Sequence, residues 1–452
     1  MVDRQHCHPV PESGRVRERD RNAMSSLTLL GLSFFVLLFA GAPIFICLIA
    51  ACLLVLSQLD LLSAQLVMQR VYAGLDSFPL LAIPFFLLAG KLMEAGGITR
   101  RLVDFAFYLV GWVRGGLAHV AVLAATMFAG VSGSAVADTA AIGSTMIPKM
   151  KDHGYDPAYS ASVVAASGVI GATIPPSIPL VLYGVVSGVS IGGLFMGGVI
   201  PGLMLSLGLM VYIWFSARPV AAAATDAPPV ERQSFGRVFL RALPALFLPA
   251  IIVGGIRTGA FSATEAAAVA VAYAFVIGLL YRDLRLPALP EILFRTALDT
   301  TLVMAIVGAA SLVGYVLTIE RIPATVAFWL SDTLTSTIIL LLLINLLLLF
   351  VGCFLDGGSA IIVFTPVLLP VIKAFDIDPL FFGVIMSINL MIGTITPPVG
   401  LSLYVAGGIG GVPIAHMMRA ILPFLMVHMF ILLILMLFPQ IILALPNYVY
   451  NR

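Results

Sequence analysis

A helix-breaking hexapeptide that occurs twice in apolar surroundings constrains this chain more than any other feature. Gly171-Ala172-Thr173-Ile174-Pro175-Pro176 returns 222 residues later as Gly393-Thr394-Ile395-Thr396-Pro397-Pro398. A short Gly/Ser stretch lies upstream of each copy, Gly130-Val131-Ser132-Gly133-Ser134-Ala135 and Asp356-Gly357-Gly358-Ser359-Ala360. The same offset relates Pro148 to Pro370, Lys151 to Lys373, Asp156-Pro157 to Asp378-Pro379 and Pro201 to Pro423. Lipid offers no partner to backbone groups freed by a break, so an ordinary membrane helix excludes such residues. Breaks at matching places in two halves imply discontinuous helices around a central site, the arrangement of secondary transporters.

Composition makes the surroundings a membrane. Of 452 residues, 61% are hydrophobic and 10% charged, more apolar surface than a soluble chain of this size can hide. The apolar runs reach the roughly 20 residues that a bilayer crossing needs, and they lack the short alternating pattern of a β-barrel. The sequence contains no Walker A motif, which excludes ATP hydrolysis by this chain, and no nucleic-acid signature. Arg and Lys gather at Lys149–Lys151, at Arg218, and at Arg232, Arg237 and Arg241, three places expected on the cytoplasmic side. Cys7, Cys47, Cys52 and Cys353 lack metal-ligand spacing, and three of them sit in apolar runs as buried thiols.

The predicted fold is an all-α polytopic membrane protein of two inverted repeats, each with a re-entrant helical hairpin and a discontinuous helix. Residues 1–23, polar and Arg-rich, read as a disordered tail or a mis-called start ahead of Met24. The first repeat, 24–217, holds Leu27–Leu56 as one segment bent at Gly41-Ala42-Pro43, an interfacial Asp60–Leu75, and spans at Pro79–Met93 and Leu102–Val113. A hairpin over 119–150 with its tip at Ser132-Gly133-Ser134, a broken helix over 157–189 and a span Leu194–Phe215 complete it. Residues 218–236 form a polar cytoplasmic linker. The second repeat, 237–452, opens with Phe239–Tyr281, apolar but interrupted at Arg257-Thr258-Gly259 and Thr264-Glu265 and read here as one crossing with a tilted or partly interfacial portion, then an interfacial Arg282–Arg295 and spans Leu298–Thr318 and Pro323–Leu334. A hairpin over 338–372, a broken helix over 379–406 and Ile414–Leu445 follow. Each arm of the first hairpin has about 13 to 16 residues, too few for a comfortable crossing. Five crossings in the first half, an odd number, favour inverted repeats, whereas two crossings within Phe239–Tyr281 would make them parallel.

A half-helix that begins at a tip presents backbone N–H groups and a partial positive charge. One that ends there leaves carbonyl oxygens able to hold a cation, and each proline withholds a further N–H. Ser132, Ser134, Gly171 and Thr173 form one candidate Na⁺ cluster; Asp356, Gly358, Ser359, Gly393 and Thr396 form its counterpart. Gly133, Pro175, Pro176, Pro397 and Pro398 shape breaks that would face an anionic substrate. Close helix approach through Gly and Ser accounts for either motif alone, but not for two matched pairs at one offset. Asp138, one turn past the first tip, is either a functional intramembrane carboxylate or a stabiliser of its half-helix N-terminus. Asn389 either faces substrate or makes an interhelical hydrogen bond. Lys91, Glu94, Glu265 and Glu320, near span ends, snorkel or pair. Gly130-Val131-Ser132-Gly133 also fits an intramembrane serine protease with a late base such as His416 or His428, which leaves the second copy unexplained. A channel would show a symmetric pore-lining filter instead.

The run from Gly130 to Gly143, with Phe78-Pro79-Leu80-Leu81-Ala82-Ile83-Pro84-Phe85-Phe86, Thr264-Glu265-Ala266-Ala267-Ala268 and Gly393-Thr394-Ile395-Thr396-Pro397-Pro398-Val399-Gly400, resembles the large membrane subunit of TRAP (tripartite ATP-independent periplasmic) transporters. The resemblance extends from Met24 essentially to the C-terminus. It implies a non-enzymatic, Na⁺-driven importer in the bacterial inner membrane that takes a small carboxylate-type solute from a periplasmic binding protein. It further implies a scaffold and a moving transport domain in an elevator-like mechanism, a separate small four-helix membrane subunit, no organic cofactor, and Na⁺ sites near the tips and facing breaks. The second tip differs from the first, so the two sites are expected to be chemically unequal. The alternative is an ion-coupled anion transporter of similar fold that needs no binding protein.

Overall fold

A computed structural model describes residues 12–216, 234–322, 325 and 336–450. Every regular element among them is helical, and eight of the helices are long and apolar enough to cross a membrane. The protein is thus an all-α, multi-pass membrane protein.

Helix α1 (Glu12–Phe39) leads through Gly41, at φ 86°, and Pro43 into α2 (Ile44–Gln58), and the two helices pack on each other. This corrects the single bent segment expected over Leu27–Leu56. A glycine in the left-handed region followed by Pro at the helix N-cap reverses the chain, whereas a kink alone would keep its direction. Residues 12–23 belong to α1, and residues 1–11 lie outside the described range. After α3 (Ala64–Leu75) and a short 3₁₀ turn come α4 (Ala82–Ala95) and α5 (Ile98–Val110), separated by Gly97 at φ 68°.

The first hairpin consists of α6 (Gly116–Ser132) and α7 (Ala135–Asp152), and the first broken helix of α8 (Pro157–Gly171) and α9 (Ile178–Ser187). α10 (Ile191–Ser216) follows as one long span. The expected linker lies outside the described residues up to position 233, and its last two residues already belong to α11 (Phe235–Arg257). α12 (Ala263–Leu280) starts at a capping box: Ser262 Oγ accepts from the Glu265 N–H at 3.3 Å, and the Glu265 carboxylate accepts from the Ser262 N–H at 2.8 Å. Phe239–Tyr281 is therefore two helices, each able to span, and not one crossing with a tilted portion. Glu265, expected to snorkel or pair, is the cap that separates them.

α13 (Leu289–Ile319) runs without interruption through part of the expected interfacial segment and the next span. Apart from Thr325, the expected span Pro323–Leu334 lies outside the described residues. The second hairpin is α14 (Thr337–Phe354) and α15 (Gly357–Ala374), and the second broken helix α16 (Pro379–Gly393) and α17 (Leu401–Gly410). The chain ends in α18 (Ile414–Leu437) and α19 (Pro439–Tyr450); Pro439 divides what the sequence suggested was one segment. The offset seen in the motifs carries over to element boundaries. α7 and α15 each have 18 residues, α8 and α16 each have 15, and α9 and α17 each have 10.

The chain forms two compact units. The first comprises Met1–Asp76, Met304–Thr335 and Pro366–Asp376. Within it the Arg70 guanidinium lies 4.1 Å over the Tyr315 ring, a cation–π contact that fastens α3. The second comprises Ser77–Val303, Ser336–Thr365 and Ile377–Arg452, and it contains both hairpin tips and both helix breaks.

Candidate functional site

The first tip is a tight turn. Gly133 takes φ 65° as the C-cap of α6, and Ser134 caps α7 by accepting from the Ala137 N–H at 3.5 Å. The first break lies directly against this tip: the Ile178 N–H donates to the Gly133 carbonyl at 3.2 Å, and a Cβ added to Gly133 would sit 2.6 Å from the Pro176 carbonyl oxygen. Pro175 and Pro176, joined by a cis peptide bond, occupy the break. Ser177 starts α9 by accepting from the Leu180 N–H at 3.3 Å, and its hydroxyl donates to the Ala172 carbonyl.

One carboxylate stands at the centre of this arrangement. Asp138 is fully buried, and its Oδ1 accepts from the Ser132 hydroxyl. Its Oδ2 has no hydrogen-bond partner among the described residues. A Cβ at Gly171 would overlap the Asp138 carboxyl group, so the glycine at the end of α8 makes the space in which the carboxyl sits. Gly168, one turn earlier, would likewise collide with the Thr139 hydroxyl, which lets α7 and α8 approach closely. Asp138 thus joins the tip and the break instead of only stabilising its helix N-terminus.

The second tip shares the skeleton but differs in chemistry. Asp356 begins α15: its Oδ2 accepts from the Gly358 N–H at 3.0 Å and the Ser359 N–H at 3.3 Å, and its carbonyl accepts from the Ala360 N–H at 2.9 Å. This is an N-cap, and it answers the orphan donors of a helix start. Asp356 is exposed, in contrast to Asp138. The Gly400 N–H donates to the Cys353 carbonyl at 3.1 Å, so the second break also meets its tip through the main chain. Gly400 takes φ 62°, and its Cβ would lie 2.9 Å from the Thr394 carbonyl oxygen. Behind the tip, Gly393 faces Gly352 so closely that a Cβ would come 2.5 Å from the Gly352 Cα. Gly393 therefore serves helix approach.

The two halves interlock. The Tyr183 hydroxyl on α9 donates to the Pro379 carbonyl at the start of α16 at 2.8 Å, and the Lys151 ammonium donates to the Gly410 carbonyl at the end of α17 at 3.0 Å. Leu182 on α9 would lie 3.0 Å from a Cβ on Gly358, which puts the second tip beside the half-helix that leaves the first break.

Several predicted side chains have hydrogen-bond partners of their own. The Thr173 hydroxyl donates to the Val169 carbonyl at 3.1 Å and the Thr396 hydroxyl to the Ile392 carbonyl at 2.8 Å, each within its own helix. Asn389 donates to the Asn345 backbone and side-chain oxygens at 2.8 and 2.5 Å, a buried amide pair between α16 and α14, with its own Oδ1 unpartnered among the described residues. Of the protease candidates, Ser132 donates to Asp138, and the buried His428 bonds the Phe424 carbonyl at 2.9 Å. Sequence reading missed Ser177, Ser402, Asn345, Gly352 and Gly400. Ser177, between Pro176 and the apolar start of α9, carried an N-cap signal; Ser402, which donates its N–H to the Thr394 carbonyl at 3.0 Å, carried none.

Residues 32–441 match the family described as the tripartite ATP-independent periplasmic transporter, DctM component. The C4-dicarboxylate TRAP transporter large permease protein DctM of Pseudomonas aeruginosa is 43% identical over 380 residues, 84% of this chain and 88% of that protein. The sialic acid TRAP transporter large permease protein SiaM of Vibrio cholerae is 40% identical over 412 residues, 91% of this chain and 96% of that protein. Among solved structures, the YdaH transporter of Alcanivorax borkumensis superimposes with a TM-score of 0.61 at 14% identity, over 83% of this chain and 89% of that one, which is a likeness of fold. These relatives are transporter permeases, and with the eight candidate spans they make this chain a multi-pass protein of the inner membrane.

Proposed function

This chain belongs to the tripartite ATP-independent periplasmic transporter family as its DctM component, the large permease, and from that premise we propose that it imports a small carboxylate-bearing solute by Na⁺ symport. A periplasmic binding protein delivers the solute, and a small four-helix membrane subunit completes the tripartite assembly. The observation that carries this reading is the buried Asp138, whose Oδ2 has no partner among the described residues and whose Oδ1 accepts from the Ser132 hydroxyl. A buried carboxylate without compensation is costly, and a desolvated Na⁺ beside it offsets that cost. Ser132, Asp138 and the carbonyl oxygens between Gly171 and Thr173 hold the ion at the first site. The second site draws on main-chain oxygens around Thr394–Pro398 and the Asp356 tip.

Bound Na⁺ draws each tip against its facing break, and the half-helix N-termini at Ser134, Ser177 and Asp356 then meet a carboxylate substrate with aligned N–H groups. Inverted repeats and an elevator-like movement of the hairpins with their broken helices carry the loaded site across. The identities of the relatives, which name a C4-dicarboxylate and a sialic acid, support an acidic solute as the class.

The test is uptake by proteoliposomes holding both membrane subunits, with the binding protein outside. Replacing external Na⁺ by K⁺ abolishes accumulation, and so does omitting the binding protein. Undiminished uptake in K⁺ rejects Na⁺ coupling; uptake of free solute without the binding protein selects the alternative of an ion-coupled anion transporter that works alone.

A further inference from the structure

A cavity of about 730 Å³, separate from the tips and breaks, is lined by Arg100, Arg101, Asp104, Arg241, Tyr281 and Asp283 together with Ala95 and Leu280. Its position along the membrane follows from the helices that build it. Ala95 and Leu280 are the last residues of two candidate spans, and Arg241 lies in the second turn of a third, Phe235–Arg257. Three spans thus end or begin at this cavity, which places it at headgroup depth, where basic pockets between helices bind acidic lipids.

The lining is preorganised for an anion. Arg101 is fixed from three directions: its guanidinium is 2.6 Å from the Asp283 carboxylate, donates to the Gly96 and Gly97 carbonyls at 3.1 and 2.9 Å, and lies 3.8 Å over the Tyr281 ring. The Tyr281 hydroxyl in turn donates to the Arg241 carbonyl at 2.7 Å, which ties α12 to α11 across the cavity floor. Three arginines and two aspartates, Asp104 and Asp283, line the cavity, so the lining residues carry an excess positive charge. Leu280 is 70% exposed and Val276, one turn up the same helix, 52% exposed; they extend an apolar track from the charged cavity toward the bilayer core.

We propose that this cavity binds the phosphate headgroup of an anionic phospholipid, with Arg100 and Arg241 on the phosphate, Arg101 as the fixed floor, and one acyl chain along Val276 and Leu280. Arg suits this role because its planar fork pairs phosphate oxygens two at a time. The basic linker-proximal residues make the cytoplasmic leaflet the source.

The experiment uses the full chain in detergent, with native mass spectrometry and thermal melting after addition of phosphatidylglycerol, phosphatidylcholine or inorganic phosphate. Phosphatidylglycerol is expected to bind at least about tenfold more tightly than phosphatidylcholine, and the Arg100→Gln/Arg241→Gln double variant to lose that preference. Asp104→Asn, which removes an opposing charge, is expected to tighten phosphatidylglycerol binding about threefold, and it carries the test if the double variant fails to fold. Equal binding of the two lipids overturns the proposal, as does an unchanged preference in the double variant or no tightening in Asp104→Asn. Stabilisation by inorganic phosphate equal to that by phosphatidylglycerol overturns it in favour of a soluble anion.

Discussion

The two tip-and-break pairs share one backbone plan and treat their carboxylates in opposite ways. At the first, Asp138 is buried one turn inside α7, with one oxygen on Ser132 and the other unpartnered among the described residues. At the second, Asp356 is exposed and caps α15 with two N–H donors on one oxygen. The first carboxylate therefore keeps one oxygen unpaired among the described residues, and the second is already engaged in holding its helix start. A duplicated scaffold can keep its breaks while its charged groups take different duties.

The largest expected effect comes from removing each charge in turn. Asp138→Asn is expected to lower Na⁺-driven uptake in proteoliposomes about 100-fold, equivalent to roughly 2.7 kcal/mol, with the folded protein still recovered by gel filtration. Asp356→Asn is expected to cost less than about tenfold, because Asn also caps helices well. Equal losses at the two positions would erase the contrast. Next in size is the contrast in packing. Gly393→Ala places a Cβ 2.5 Å from the Gly352 Cα, where only backbone could yield, and is expected to destabilise by about 2 kcal/mol. Gly133→Ala combines strain at φ 65° with a Cβ 2.6 Å from the Pro176 carbonyl oxygen and is expected to cost about 3 kcal/mol; melting temperatures in detergent compare them, and a larger shift for Gly393 would reverse the ranking. The smallest effect separates the buried amides. Asn389→Ala leaves Asn345 short of a donor and is expected to cost about 1 kcal/mol. Ser167→Ala, at the corresponding place in the first half, loses only a bond to its own helix at Val163 and is expected to cost under about 0.5 kcal/mol. Equal costs would remove the second half's amide pair as a distinguishing feature.

Where the sequence placed non-helical backbone, the structure follows it closely, because Pro and Gly act locally. The turns at Gly133-Ser134, 172–177 and 394–400 lie where Pro-Pro and Gly/Ser stretches prescribe them. Reversals between apolar helices were harder to read. Leu27–Leu56 looks like a single apolar run, and the polar interruptions of Phe239–Tyr281 at Arg257–Gly259 and Thr264-Glu265 are too short to tell a reversal from a tilted crossing. The cue at the second was present as Ser262-Ala263-Thr264-Glu265, an Ser-x-x-Glu box. Within the site, residue type identified the oxygen-bearing side chains but not their direction. Thr173 and Thr396 turn back on their own helices, a choice set by rotamer and by the i−4 carbonyl within reach, which spacing alone does not encode.

The hydrogen bonds from Ile178 to Gly133 and from Gly400 to Cys353 use only amide and carbonyl groups. Replacing a side chain leaves such a fastening in place, provided the replacement tolerates the local φ and ψ. Residues lining the gap can therefore be exchanged while the joints that bring the half-helices together stay assembled.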